Sequence, residues 1–133
     1  MFGLTFGEGM NMGFPDVCLT PVVVPVPIPY PNISQTATCA DPLPGVLMEC
    51  LPSMNLMSTC ELSEGDEAGS LLGVVSHMIS GPTMYIVGST GVLIDGAPAQ
   101  RLTSVTGQNA MEVLPNTPGV TIVPSQETVL CLV

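Results

Sequence analysis

Residues 92–102, VLIDGAPAQRL, decide the fold of this protein. Three β-forming residues precede Asp95-Gly96, a dipeptide that favours a two-residue type I′ turn because both of its positions need φ > 0. Pro98 follows the turn and lacks a backbone donor, which restricts its strand to a sheet edge or a bulge. The stretch therefore predicts a short β-hairpin.

The same pattern occurs 46 residues earlier, in residues 46–56, VLMECLPSMNL. Apolar positions align between the two stretches. The turn of this copy is Glu49-Cys50, which favours a left-handed turn less than Asp95-Gly96 does, so we expect a looser hairpin or a different turn type. Two copies of one hairpin unit predict a small, repeat-built, all-β protein with at most a short helix.

Composition limits the partners of the chain. Of its 133 residues, 46% are hydrophobic and only 9% are charged, against about 25% charged in typical soluble domains. We infer that part of its surface is covered by a partner, or that its exposed faces carry neutral polar residues. The net charge of −10 excludes nucleic-acid binding and a polybasic membrane anchor, which both need clustered Lys and Arg.

The N-terminal residues and the cysteines bear on the cellular compartment. The chain starts with no basic region and no long apolar run, so we expect no signal peptide and synthesis in the cytoplasm. Its five cysteines form an odd number without regular spacing, which favours buried free thiols over a disulfide scaffold.

Other segments have weaker patterns. Prolines in residues 21–31 forbid helix and central strand, so we expect an extended segment laid against the body or a partner. The three phenylalanines, at positions 2, 6 and 14, either cap the core or form a docking patch. Ser63 and Asp66 could cap a short helix in a loop over residues 57–82. We expect a β-meander over residues 83–106 and final strands at 120–123 and 128–133.

The sequence contains no catalytic constellation. His77 is the sole histidine and lies in an apolar stretch, where a packed side chain is more common than a base or ligand. No nucleophile elbow, zinc-protease or P-loop motif is present. The acids Glu64, Asp66 and Glu67 fit either a cation site or a solvated turn. Cysteines and His77 could bind zinc, but no local spacing supports it.

Several motifs together resemble those of one family. Residues 95–101, DGAPAQR, resemble the Gly-x-Pro-Ala-Ala-Arg signature of PAAR-repeat proteins, with Gln100 at the second Ala. Residues 14–21, FPDVCLTP, residues 27–32, PIPYPN, and residues 65–69, GDEAG, resemble the PAAR-like branch of that family. The resemblance spans residues 1–110, with the motifs in the family's order.

The resemblance implies a small conical β fold of short strands and hairpins around a pseudo-threefold axis, formed by residues 1–133 as a single domain. It also implies a spike-tip protein that caps the blunt end of the trimeric VgrG spike in a type VI secretion system, one copy per trimer. The motif residues it marks are Asp16, Cys18, Pro29, Tyr30, Pro31, Asn32, Gly65, Asp66, Glu67, Gly69, Gly96, Pro98 and Arg101.

Family members commonly bind zinc near the apex through His and Cys, and this sequence departs from that pattern. Ser104 stands at the family's Asp, and Gln108-Asn109 stands at its His-Asn pair. We therefore expect no cofactor, with zinc as the alternative and Cys18, His77 and Cys131 as weak candidate ligands.

The function expected from the resemblance is non-enzymatic. The protein would sharpen the spike for mechanical puncture of a target membrane, link effector proteins to it, and leave the cell on the apparatus. The alternative is a zinc-stabilised structural or adaptor module that carries a separate toxic effector. Arg101, the only basic side chain, is expected to be structural and to bond carbonyls or an acid within the cone.

Overall fold

A computed structural model describes residues 1–40, 45–110 and 114–132. The chain forms short antiparallel strands, and the helical segment among these residues is one 3₁₀ turn, Thr36–Thr38. The predicted all-β class is confirmed. No helix within the described ranges is long and apolar enough to cross a membrane.

Among the described residues, seven strands form one sheet and four form two separate hairpins. The sheet order is β2-β1-β11-β10-β7-β6-β3, and the hairpins are β4-β5 and β8-β9. The bounds are β1 Met10–Pro21, β2 Pro25–Gln35, β3 Cys39–Ala40, β4 Leu47–Met48, β5 Leu51–Pro52, β6 Thr59–Cys60, β7 Thr83–Tyr85, β8 Leu93–Ile94, β9 Ala97–Pro98, β10 Val105–Gln108 and β11 Thr117–Val123.

The proline-rich segment is the edge strand β2. It pairs along its whole length with β1, with Tyr30 opposite Asp16 and Ile28 opposite Cys18. Its prolines occupy alternate positions, so the absent donors lie on the outer edge, where no strand needs them. The predicted extended segment is therefore an edge strand, which continues to Gln35.

The two predicted hairpins share one turn geometry. Glu49 and Cys50 have φ values of 51° and 63°, and Asp95 and Gly96 have 51° and 80°. The expectation of a looser or different first turn is wrong. The local preference of Glu49-Cys50 is overridden because both hairpins occupy equivalent places around one axis.

A third, equivalent unit joins the two ends of the chain. Ser53 N–H donates to Val46 O in the first unit and Ala99 N–H donates to Val92 O in the second, both at 2.9 Å. In the third unit Gly3 N–H donates to Val129 O, also at 2.9 Å. The residues preceding Thr5 and the segment after Glu127 thus form the third hairpin-like pair.

The three units are closed into a ring by backbone hydrogen bonds. Leu4 N–H donates to Gln100 O, Gln100 N–H to Met54 O, and Met54 N–H to Leu4 O, at 2.9, 3.0 and 2.8 Å. A second cycle links the same units in the opposite sense, through Phe6 N–H to Pro52 O, Leu56 N–H to Pro98 O, and Leu102 N–H to Phe2 O. The structure therefore has the pseudo-threefold axis that the resemblance implies.

Buried side chains repeat around the same axis. Leu4, Met54 and Gln100 are fully buried at equivalent positions, and Met48, Ile94 and Cys131 pack together in the layer formed by the three hairpins. A second apolar cluster joins Leu4 and Met54 to Cys60 and Tyr85 under the large sheet.

Several weaker expectations fail. The predicted β-meander over residues 83–106 is wrong in its pairing, because β7 pairs with β10 in the large sheet while β8 and β9 form a separate hairpin. Strand β11 starts at Thr117 instead of residue 120. Residues 128–132 form only the isolated bridge of Leu130 with Phe2, and residue 133 lies outside the described residues. Ser63 caps no helix, because its hydroxyl donates to Gly81 O within a loop.

The phenylalanines divide between core and surface. Phe6 packs against the apolar cluster of Leu4 and Met54, whereas Phe14 is 61% exposed.

The cysteines also depart from the expectation of five free thiols, because Cys39 and Cys60 face each other across β3 and β6 and form a disulfide.

Arg101 contributes through its backbone. Its N–H donates to Ser104 Oγ at 3.0 Å, and its backbone forms an isolated antiparallel bridge with Gly3. Within the described part of the chain no carbonyl or acid accepts a hydrogen bond from the guanidinium of this half-buried residue. The expected side-chain bonds of Arg101 are therefore not found there.

The two hairpin turns give a matched prediction. Gly96→Ala places a Cβ in a left-handed conformation and should lower the free energy of unfolding by about 1 kcal/mol. Cys50→Gly relieves the same strain and should raise it by about 0.5 kcal/mol after the entropy cost of glycine. Urea denaturation measures both values, and equal stabilities for all three proteins would contradict the shared turn geometry.

Candidate functional site

A sealed polar cluster lies where β1 meets the loop after β6. Asp16, Cys18 and Asp66 are fully buried, and one ligand-type atom from each lies within 4.8 Å of the others. Cys18 Sγ is 3.7 Å from Asp16 Oδ1 and 3.9 Å from Asp66 Oδ2. A thiol and two carboxylates are thus held in contact without access to solvent.

Two glycines of the predicted GDEAG motif let the loop approach β1 and β2. Gly65 has φ +118°, and a Cβ on it would overlap Pro31 O. A Cβ on Gly69 would overlap the Cβ of Cys18. Between them, Asp66 accepts a hydrogen bond from Ser80 N–H at 3.1 Å. The glycine spacing therefore places Asp66 against Asp16 and Cys18.

Three asparagine amides surround the carboxylates. Asn109 Nδ2 donates to both Asp16 and Asp66, and Asn116 Nδ2 donates to Asp16. Asn32 Nδ2 donates to Asp16 Oδ2 at 2.9 Å. The amides satisfy acceptors of the carboxylates, but they bring no formal positive charge.

Burial changes the acidity of this cluster. The pKa of the Cys18 thiol is raised to about 12, mainly by burial and in addition by the nearby carboxylates of Asp16 and Asp66. Burial also raises the pKa of Asp66, against the opposing effect of hydrogen bonds from Asn109 and Ser80. Both shifts favour the protonated, neutral forms.

The structure brings together four of the predicted motif residues, Asp16, Cys18, Asn32 and Asp66. Other motif residues shape the strands and turns: Pro29, Tyr30 and Pro31 lie in β2, while Gly96, Pro98 and Arg101 lie in or beside the second hairpin. Tyr30 bonds Thr20 through their hydroxyls at 2.7 Å.

The acidic loop divides into a buried and an exposed part. Glu64 and Glu67 are exposed, and Glu67 accepts hydrogen bonds from Gly65 N–H, whereas Asp66 is buried. Only Asp66 of the three acids therefore belongs to the cluster.

Two of the weak metal candidates lie elsewhere. His77 is exposed, and Cys131 packs in the apolar layer of Met48 and Ile94. Sequence reasoning noticed Asn109 only as the family's His-Asn position and missed Asn116. A proline-flanked asparagine in an irregular segment gives no signal of a bond to a carboxylate about 100 residues away.

The outer face of the three units carries an exposed leucine at the same position in each. Leu47, Leu93 and Leu130 precede the buried residues Met48, Ile94 and Cys131, and their exposed fractions are 63%, 65% and 54%. Because neighbouring side chains on a strand point to opposite sides, the three leucines point away from the buried layer of Met48, Ile94 and Cys131. We call these three residues the leucine triad.

Fold and sites define a small all-β protein with internal threefold pseudosymmetry and a sealed polar cluster. Residues 9–115 match the family described as Toxin PAAR-like domain. The match covers most of the chain, so the protein belongs to this family. No curated protein and no solved structure gives a significant match.

The approach of Gly69 to Cys18 gives a second prediction. Gly69→Ala forces the loop away from β1 and should lower the free energy of unfolding by about 2–3 kcal/mol, the cost of overpacking a tight interior. The neighbouring Ala68 is exposed, so Ala68→Gly should cost less than about 1 kcal/mol. Chemical denaturation compares them, and a fully stable Gly69→Ala protein would contradict the packing described.

The reactivity of the cysteines gives a third prediction. The protein is alkylated at pH 8 with a chelator present, and mass spectrometry then counts the labelled thiols. In the native protein only the exposed Cys50 should react quickly, since Cys18 and Cys131 are buried and the raised pKa keeps Cys18 a thiol. Unfolding without reductant should expose three thiols, and reduction should add Cys39 and Cys60. Rapid labelling of native Cys18, or five thiols without reductant, would contradict the structure.

Proposed function

We propose that this protein is a non-enzymatic tip of a type VI secretion spike, and that one copy, folded as a single domain, caps the blunt end of a VgrG trimer. Membership of the Toxin PAAR-like domain family supports a spike-associated or toxin-related module. The observation that carries the docking proposal is the leucine triad, which presents one exposed apolar side chain per unit around a pseudo-threefold axis.

Symmetry supports the stoichiometry. A trimeric spike end offers three equivalent surfaces, and a single asymmetric chain can contact all of them alike only if it repeats its own contact surface three times. The cyclic hydrogen bonds of Leu4, Met54 and Gln100 hold three such units in one chain. One copy per trimer then satisfies every spike subunit.

Surface chemistry supports a lasting contact. Only 9% of the residues are charged, and stable interfaces are apolar at their centres and depleted in charge. Leu47, Leu93 and Leu130 would each become buried on docking. An apolar base buried on a partner also accounts for a surface so poor in charged side chains.

The sealed cluster supports a non-enzymatic role. Asp16, Cys18 and Asp66 are each 0% exposed, so a substrate in solution has no access to these three side chains. The protein would act mechanically, made in the cytoplasm and carried out of the cell on the apparatus as the spike crosses a target membrane.

A second candidate role is carriage of an effector protein. It is favoured by an open apolar groove of about 410 Å³ on the large sheet, lined by Met12, Phe14, Val105, Val120 and Ile122 among others. This groove lies on β1, β10 and β11 and includes none of the leucine triad. Spike docking and effector carriage would therefore use different faces of the chain.

The leucine triad gives the test. Leu47→Asp, Leu93→Asp and Leu130→Asp should each weaken binding to the VgrG trimer by about 5- to 30-fold, the effect of losing about 1–2 kcal/mol at an apolar contact. The triple variant should not bind. Isothermal titration and native mass spectrometry give the affinity and the expected ratio of one chain to one trimer.

Leu62→Asp is the matched control, because Leu62 is 62% exposed and lies outside the triad. It should bind like the unmodified chain. Equal weakening by Leu62→Asp and Leu93→Asp would contradict the assigned surface. Components that never associate at any ratio would overturn the proposed function.

A further inference from the structure

Two buried carboxylates lack a compensating charge. Asp16 and Asp66 are both fully buried, and no cationic side chain contacts either of them in the described part of the chain. The only Lys or Arg in the sequence is Arg101, whose backbone forms an isolated bridge with Gly3 beside the ring. Hydrogen bonds offset part of the cost of burying a charged carboxylate, and a cation or a proton removes the rest.

The spacing of the donor atoms fits a tetrahedral metal. Zinc–sulfur and zinc–oxygen bonds of about 2.3 and 2.0 Å separate sulfur from oxygen by about 3.5 Å in a tetrahedron. Cys18 Sγ lies 3.7 Å from Asp16 Oδ1 and 3.9 Å from Asp66 Oδ2. Both sulfur–oxygen distances are within about 0.4 Å of that value, and the three donor atoms all lie within 4.8 Å of one another.

A buried amide oxygen beside the group provides independent support. Asn32 is fully buried, its Nδ2 points at Asp16 Oδ2, and its Oδ1 has no hydrogen-bond partner. The other two amides are oriented by backbone donors, since Asn109 Oδ1 accepts from Gly81 N–H and Asn116 Oδ1 from Val75 N–H. Asn32 Oδ1 accepts no such bond, so a turn of the amide would exchange the Nδ2–Asp16 hydrogen bond for a bond from its oxygen to the ion.

We propose that Asp16, Cys18 and Asp66 bind one Zn²⁺, with Asn32 Oδ1 as the fourth ligand. The thiol selects zinc over magnesium or calcium, which prefer oxygen donors alone. As the zinc–sulfur bond forms, the S–H proton of Cys18 leaves to solvent. Asn109 and Asn116 keep their hydrogen bonds to the carboxylates and hold them in place.

This donor set differs from the His and Cys ligands that the family resemblance implies. Its position also explains the early motifs, because residues 14–21, 27–32 and 65–69 each supply at least one donor. The ion would link strands β1 and β2 to the loop after β6. The role is structural, and it does not depend on what the protein docks to.

The experiment uses the full chain after removal of metal with a chelator, titrated with Zn²⁺ against a competing indicator. One zinc per chain should bind, and the thermal midpoint should rise. Asp66→Asn and Cys18→Ala should weaken binding at least 100-fold. Cys131→Ala is the control, because Cys131 is also a buried free cysteine but lies in the apolar hairpin layer, and its affinity should be unchanged.

Cobalt substitution identifies the ligand atom. Co²⁺ bound to the unmodified chain should show a thiolate-to-metal charge-transfer band, which Cys18→Ala removes and Cys131→Ala retains. Asn32→Asp provides a test if the other variants fail to fold. A third carboxylate should tighten zinc binding at least tenfold while lowering the thermal midpoint of the metal-free protein.

The proposal is overturned if the folded chain binds zinc no more tightly than Cys18→Ala and shows no cobalt–thiolate band. The two carboxylates would then share a proton instead of a metal. This outcome leaves spike docking untouched, because the leucine triad and the cluster have no residue in common.

Discussion

The structure depends on a closed cycle of three backbone hydrogen bonds, in which Leu4, Gln100 and Met54 each donate to the next. A cycle of this kind fixes all three units at once, because no unit can rotate without breaking a bond on either side. It buries the three side chains that point to the axis and leaves one leucine of each hairpin on the outside. Core, symmetry and the proposed docking surface therefore have one origin.

The sequence predicts two of the three units, and the physical reason for the third being missed is clear. Each of the hairpins at residues 46–56 and 92–102 is formed by one continuous segment of the chain, so its apolar residues and turn dipeptide can be recognised in the sequence. The third unit is formed by segments from opposite ends of the chain, with Gly3 bonded to Val129, and no local turn marks it. Tertiary position also gives Glu49-Cys50 the same left-handed turn as Asp95-Gly96, although its intrinsic preference is weaker.

The polar cluster was predictable in part. Its motif residues Asp16, Cys18, Asn32 and Asp66 were singled out through a family resemblance, but their contact with one another was not. Asn109 and Asn116 come from irregular segments far along the chain, and only the folded structure shows that their amides meet Asp16. A chain with one basic residue cannot neutralise buried acids by ion pairs alone, so amides, a proton or a metal must replace them. That constraint links the scarcity of basic residues in the sequence to the buried acids at Asp16 and Asp66.

Amide hydrogen exchange, resolved residue by residue by NMR, tests the central claim that three units close into one ring. The ring amides of Leu4, Met54 and Gln100 should exchange only through global unfolding, with the same free energy of opening within about 1 kcal/mol of the unfolding free energy. Exchange at Leu4 that is orders of magnitude faster than at Met54 and Gln100 would show that the chain ends do not complete the ring. The pseudo-threefold surface, and the stoichiometry based on it, would then be contradicted.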